Sequence, residues 1–317
     1  MKVDEFGLSR RDALAIDAAK LSCAGLRQQQ IAERLHITRP TVSKLLAHAK
    51  ARGFISMSIF DPRENDQRLI HLVREKFGLT GVTLVAPVGN GPVDIRRALG
   101  RVGAKVLMSA VTPDDIVGFS WSETIAELVE ALEPQPNMNL SMVQVRGSSQ
   151  NQYTDMRRQK DLEYLSRCWG TPVSVFDSPA ICKNFEHQQN EMKDATTRET
   201  LRKMADIRVV VYSVGSCTRQ SKLFCSPFLS DEERALLERK SVGDICSHFV
   251  DQYGRISIPG LHNRTLGISL PELRKVEQKI LVAAGEDKVS IIRTALEWAY
   301  ANYLVTDVMT AKRLLSS

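Results

Sequence analysis

Four short runs in this 317-residue sequence set hydroxyls, glycines and charges side by side. They are Ser120, Trp121, Ser122, Glu123 and Thr124; Arg146, Gly147, Ser148 and Ser149; Gly215, Ser216 and Cys217; and Gly285, Glu286, Asp287 and Lys288. Each follows an apolar run. Glycines and hydroxyls at helix starts offer backbone N–H groups and side-chain donors to an anion, and Lys288 adds positive charge. A small polar ligand suits these residues, and a sugar phosphate suits them well. Gly and Ser fill most turns, so the expectation rests on four runs together. Arg146 either pairs with a phosphate or caps the sheet, and Trp121 either stacks on a sugar ring or lies in the core.

A second group lies near the start: Gln28, Gln29, Thr38, Arg39, Pro40, Thr41, Ser43, Lys44 and His48. Its donors reach base edges and phosphates if they share the outer face of one helical unit. Between residues 20 and 60 seven basic residues stand against one acid, Glu33, an excess equal to the whole chain's net charge of +6. A local basic patch on a balanced body suits double-stranded DNA reached through one end. A plain solvated basic face is the alternative.

The elements that must position this second group read as a helix-turn-helix. Leu14, Ala15, Ala18, Ala19 and Leu21 share a helical face. A second helix carries Ile31, Ala32 and Leu35, with Ala32 small enough for a close crossing. His36 takes the turn, where positive φ is common and histidine is tolerated. Thr38 is the expected N-cap of a third helix, from about Arg39 to Arg52, with Pro40 in its first turn. That helix buries Val42, Leu45 and Leu46 and turns Arg39, Thr41, Ser43, Lys44 and His48 outward. Residues 53–60 alternate like a strand or wing, giving a winged-helix-like unit over 1–62. An amphipathic linker helix covers 63–79 and is expected to pack on the larger domain, with packing against another subunit as the alternative.

From residue 80 to 317 strands alternate with helices: "GVTLVAPVG", "DIVGFS", "NLSMVQV", "PVSVFDS", "IRVVVYSVG", "KILVAAG" and "NYLVTD" read as strands, with helical segments between them. Such βα repetition implies an α/β fold, a parallel sheet covered on both faces. Ligands in these sheets sit at the carboxyl ends of the strands, where the four runs fall. Cys23, Cys168, Cys182, Cys217, Cys225 and Cys246 show no C-x-x-C pair or zinc-finger spacing, so they read as reduced and mostly buried, with no metal. The polar opening and the lack of an apolar run near ~18 residues predict a soluble, cytoplasmic protein with no membrane partner.

The chain resembles the SorC family of bacterial sugar-responsive transcriptional regulators. "QQIAERLHITRPTVSKLL", "GFSWSETI", "QVRGSS", "SVGSC", "VGDICSHFVDQYG", "ILVAAGEDK" and "YLVTDVMTAKRLL" carry the resemblance, in order, along nearly the whole sequence. It implies a Rossmann-like, doubly wound effector domain of the sugar-phosphate isomerase/deaminase-like type. That domain would sense a phosphorylated sugar in a homo-oligomer, dimer or tetramer. By motif match Ser120, Ser122, Thr124, Gly147, Ser148, Ser149, Gly215, Asp244 and Lys288 line the pocket. Asp244 enters through this match alone, as an acceptor for sugar hydroxyls; a helix or turn cap is its other reading. Ser122 and Ser148 stand where the family often has glycine. Arg146 stands where some relatives have lysine, and arginine stays protonated, so binding is expected to be noncovalent and to need no cofactor.

The predicted function is therefore a DNA-binding regulator, read as a repressor of carbohydrate or nucleoside catabolism genes. A sugar-phosphate isomerase-like enzyme with an appended DNA-binding head is the alternative, with Asp244 and Glu123 as its candidate bases.

Overall fold

A computed structural model of the chain describes residues 8–55, 60–89, 91–135, 138–148, 152–175, 177–219 and 221–316, with backbone only for 152–157. It divides into two compact units, Met1–Phe60 and Asp61–Ser317.

The first unit holds α1 (Arg10–Cys23), α2 (Gln28–Arg34) and α3 (Arg39–Ala51). Its core is small and alanine-rich: Ala15, Ala18, Ala19, Ile31, Ala32, Val42, Leu45 and Ala49 are all buried, with Leu46 only partly so. Alanines let the three helices approach closely. A capping box closes α1: the Asp12 N–H donates to the Ser9 hydroxyl, and the Asp12 carboxylate accepts from the Ser9 N–H. His36 takes the left-handed turn at φ 52°. Thr38 occupies the N-cap position of α3, but its hydroxyl bonds the Thr41 hydroxyl at 2.8 Å, not a backbone N–H. The strand expected over 53–60 centres on residues 56–59, which lie outside the described residues.

In the second unit the chain runs α4 (Gln67–Phe77), β1 (Gly81–Val85), α5 (Pro92–Ala110), β2 (Ile116–Phe119), α6 (Glu123–Glu130), β3 (Ser141–Gln144), α7 (Gln152–Trp169) and β4 (Val173–Ser174). It continues through α8 (Phe185–Glu191), α9 (Ala195–Lys203), β5 (Val209–Tyr212), β6 (Val214–Gly215), α10 (Asp231–Lys240), β7 (Gly243–Ile245) and β8 (His248–Val250). The last elements are α11 (Pro259–His262), α12 (Leu270–Lys275), β9 (Gln278–Val282), α13 (Val289–Glu297), β10 (Tyr303–Asp307) and α14 (Val308–Leu315).

Seven strands form one sheet in the order β1-β10-β9-β5-β2-β3-β4, every pair parallel. The side chains of β5 show how its two faces are used. Val210 and Tyr212 join one buried cluster, whereas Val209 and Val211 join the other. Both faces are covered, which makes this a doubly wound α/β fold. The helix expected as a linker, α4, is part of this unit: Leu69 and Val73 are buried in its core, and the Lys76 ammonium donates to the Leu314 carbonyl.

The continuous apolar run "IRVVVYSVG" divides where one strand was expected. β5 ends at Tyr212, and after Ser213 the chain leaves the main sheet. Val214 and Gly215 then pair with Ile245 and Asp244 in a separate antiparallel sheet, β6-β7-β8.

Candidate functional site

The order in which the strands are laid down creates the site. From β2 the chain proceeds outward to β3 and β4; from β5 it proceeds the other way to β9 and β10. The carboxyl ends of the adjacent β2 and β5 therefore diverge, and a crevice opens between the segments that follow them. A cavity of about 390 Å³ lies there, within the size range of small-ligand sites.

Each wall derives from one strand end. After β2, Trp121, Ser122, Glu123 and Thr124 line the cavity. Ser122 caps α6 by accepting from the Ile125 N–H at 3.2 Å, which leaves the first turn of α6 facing the space. After β3, Arg146, Gly147 and Ser148 form a second wall. Gly147 is required by backbone proximity: a Cβ there would lie 2.6 Å from the Pro179 carbonyl carbon and the Ala180 nitrogen. After β5 come Ser213, Val214, Gly215 and Ser216, backed by Asp244. After β9, Gly285 (φ 122°) turns the chain so that Asp287 and Lys288 face the same space.

Five cations and three acids line the cavity. The Glu123 carboxylate is held by Lys222 at 2.8 Å and Arg96 at 3.3 Å. Asp287 accepts from the Ser216 hydroxyl at 3.0 Å. Burial raises the Asp244 carboxyl above the usual carboxylate range, against the pull of Arg146, the Ser247 N–H and Lys288. Burial likewise lowers the Lys288 ammonium, against Asp287 and Asp244. Burial thus opposes the charged form of both groups.

The structure thus brings together Trp121, Ser122, Glu123, Thr124, Arg146, Gly147, Ser148, Gly215, Ser216, Asp244 and Lys288 around one cavity. Ser120 is a correction. It follows β2 but is only 1% exposed and is absent from the cavity wall, its hydroxyl meeting the Cys246 thiol. Ser149 lies outside the described residues. Trp121 packs edge-on to Phe119 at 6.5 Å, as the core reading expects, and also lines the cavity. The Arg146 Nη1 donates to the Trp121 carbonyl at 3.4 Å, linking the segments that follow β3 and β2.

The sequence missed Gln144, Arg158, Arg96 and Lys222, all of which line the cavity. Gln144 ends a strand and was read as part of it. The others sit on helices or loops far from the strand ends in sequence, so proximity to a strand end could not reveal them.

In the first unit Arg39, Pro40, Ser43 and Lys44 are exposed along α3, with Thr38 exposed and Thr41 half-buried. Gln29 is exposed and Gln28 half-buried at the start of α2. His48 corrects the expectation that it faces outward. Its Nε2 lies 2.7 Å from Asp12 Oδ1, which turns the ring back onto α1.

Comparison with known proteins matches these geometries. Residues 61–316 match the family model described as "Putative sugar-binding domain", and residues 9–57 match a homeodomain-like domain model. The chain is 32% identical over 307 residues to the deoxyribonucleoside regulator of Bacillus subtilis (strain 168), spanning 96% of this chain and 98% of that protein. It is 30% identical to the sorbitol operon regulator of Klebsiella pneumoniae, over 92% of this chain and 93% of the relative. The crystal structure of that full-length regulator, SorC, superposes with a TM-score of 0.77 at 26% identity, covering 98% of this chain and 100% of the other. The chain belongs to the SorC family. The cavity of this SorC-family chain lies in the sugar-binding match, and α1–α3 lie in the homeodomain-like match. Among the described residues no helix is long and apolar enough to cross a membrane, and no cluster of three or more His, Cys, Asp or Glu could hold a metal.

Proposed function

We propose that this SorC-family chain is a transcriptional repressor of carbohydrate or nucleoside catabolism genes, that it reads double-stranded operator DNA with α3, and that a phosphorylated sugar in the cavity sets its operator affinity. It is a regulator, not an enzyme: the relatives aligned along nearly its whole length carry regulator names. One observation carries the ligand reading. Lys288, the first turn of α6 and the buried carboxyl of Asp244 converge on one cavity at the point where the strand order reverses.

In this reading the phosphate meets Lys288 and the backbone N–H groups of Glu123 and Thr124, while Asp244 receives sugar hydroxyls. Ser122 and Ser148 narrow the space where glycine would leave it open. Arg39, Thr41, Ser43 and Lys44 meet the major groove and its phosphates, aided by Thr38, Pro40, Gln28 and Gln29. The protein works in the cytoplasm as a homo-oligomer, a dimer or tetramer, since two helix-turn-helix units engage two half-sites. The effector acts by binding one quaternary arrangement more tightly than another.

A duplex enriched by the full chain from genomic fragments supplies the operator probe. Fluorescence anisotropy on it, with and without phosphorylated trioses, pentoses and hexoses, tests the reading. One of these sugars should raise Tm and shift operator affinity. If none does either, the reading fails.

A further inference from the structure

A second cavity, of about 490 Å³, shares no lining residue with the first. It too falls within the size range of small-ligand sites. Residues 177–179 form part of its wall, and their backbone is fixed. The Ser148 N–H donates to the Ser178 carbonyl at 2.9 Å, and the Ala180 N–H donates to the Ser148 carbonyl at 2.8 Å.

Another part of the wall comes from α8. None of its seven residues is buried, so core packing does not explain where this helix lies. Polar bonds hold it instead. The Glu191 carboxylate accepts the Ser178 hydroxyl at 2.6 Å, and His187 Nε2 lies 3.1 Å from the same carboxylate. The Lys183 N–H donates to His187 Nδ1 at 3.2 Å, which leaves Nε2–H as the donor to Glu191.

The charge of this lining is the reverse of the first cavity's. Asp177, Glu191 and Asp194 contribute carboxylates, and among the described residues no lysine or arginine lines it. Asp177 already takes Arg158 at 2.7 Å. Glu191 is held by a hydroxyl and a ring N–H, and Asp194 accepts the Thr197 N–H at 2.7 Å. Phe228 adds an aromatic ring, edge-on to His187 with centroids 6.0 Å apart.

Three carboxylates and a histidine thus share one cavity. Yet among the described residues no three such groups meet closely enough to hold a metal ion. Carboxylates spread around an aromatic ring suit a cation whose charges are spread as well: two or more ammonium groups on an alkyl chain. Each ammonium brings donors to a carboxylate, and the ring attracts the positive charge. Bulk attraction does not draw such a ligand here, since the whole chain carries a net charge of +6.

We propose that this second cavity is a binding site for an aliphatic di- or polyamine, with Glu191 and Asp194 receiving its ammonium groups and Phe228 its chain. The inference is independent of the phosphosugar reading of the first cavity.

Calorimetric titration of the full chain, without DNA and at fixed ionic strength, tests it with putrescine, spermidine and n-butylamine. These share an alkyl chain and differ in charge. Putrescine or spermidine should bind about tenfold more tightly than n-butylamine, as a second charged hydrogen bond predicts. Glu191→Gln should remove most of that ratio. Asp194→Asn should weaken diamine binding about fivefold while keeping the cap on α9, because asparagine caps as well as aspartate. This second variant keeps the test open if E191Q fails to fold. No binding by putrescine or spermidine overturns the inference. Equal affinity for putrescine and n-butylamine overturns it, as does binding unchanged in both variants. Displacement of putrescine by an equal concentration of Mg²⁺ makes the cavity a site for any cation and also overturns it.

Discussion

His48 Nε2 and Asp12 Oδ1 lie 2.7 Å apart, joining the last turns of α3 to the first turn of α1. Asp12 also receives Arg52 Nε at 3.4 Å and the Ser9 hydroxyl at 2.7 Å. One buried carboxylate thus fixes where the exposed helix lies on its own unit.

The Asp12 carboxyl is held down to about 2 by hydrogen bonds from Ser9 and then from His48, against an ordinary value of 3.8. A carboxyl with a depressed folded pKa stabilises the fold above the ordinary value, and that stability is lost as pH falls from about 3.8 through about 2. Asp12→Asn should lower the Tm of the chain's first transition at pH 7 and remove that acid-dependent loss. Circular dichroism melts across pH 2–7 measure it, and an unchanged profile in the variant overturns the assignment.

Arg39 and Lys44 are exposed on α3 without the tether that holds His48. Arg39→Ala and Lys44→Ala should weaken operator binding and make its salt dependence shallower by ~0.9 per lost phosphate contact. His48→Gln should weaken binding without changing the salt slope. Anisotropy titrations at several salt concentrations separate the two outcomes.

Asp244 runs opposite to Asp12. Its folded pKa is raised, chiefly by burial, so its charged form costs stability above that pKa, and the cost is relieved as pH falls through it. Asp244→Asn should leave Tm equal or higher at pH 7, yet blunt the Tm rise produced by the sugar ligand. A lower ligand-free Tm in D244N would contradict the carboxylate's burial cost.

His248 is 3% exposed, donates Nε2–H to the Ile268 carbonyl at 3.0 Å, and accepts at Nδ1 from His262 at 3.1 Å. Burial, then His262, pushes it down to about 4 from 6.5. A histidine with a lowered pKa stabilises the fold fully above 6.5, and that stability drains away as pH falls toward about 4. The full shift corresponds to ~3 kcal/mol. His248→Gln should flatten the Tm profile across that window in thermal melts.

Gly147→Ala forces a methyl against the Pro179–Ala180 backbone. Overpacking of this kind costs about 1–3 kcal/mol, and the displaced wall carries Arg146 and Ser148. Denaturant unfolding and ligand titration should both register the change.

These residues also show what sequence can and cannot reveal. His36 was readable because one residue type in one turn satisfies a known backbone need. The strands were readable because a two-faced parallel sheet demands near-continuous apolar runs, but that same feature hid the break at Ser213: nothing in "VVVYSVG" marks a change of sheet. The hairpin β7–β8 was missed for a related reason. Its two-residue turn is Cys246 and Ser247, at φ 47° and 75°, where Gly or Asn would have signalled it; the Ser247 N–H donating to the Asp244 carboxylate holds it instead. His48 looked outward by helical phase, yet a buried acid thirty-six positions earlier claimed it. Arg158 reaches its wall only through the crossover of α7, which no local pattern encodes.

The pairing of β1 with β10 closes the large sheet late. Strand Gly81–Val85 finds its neighbour only at Tyr303–Asp307, and α4 rests beside α14 through Lys76 and Leu314. During synthesis the first unit leaves the ribosome with its own core residues all present, whereas the large sheet stays unfinished for more than two hundred further residues. In a nascent chain the first unit therefore emerges well before the large sheet can close, and the interval between the two events is set by translation speed.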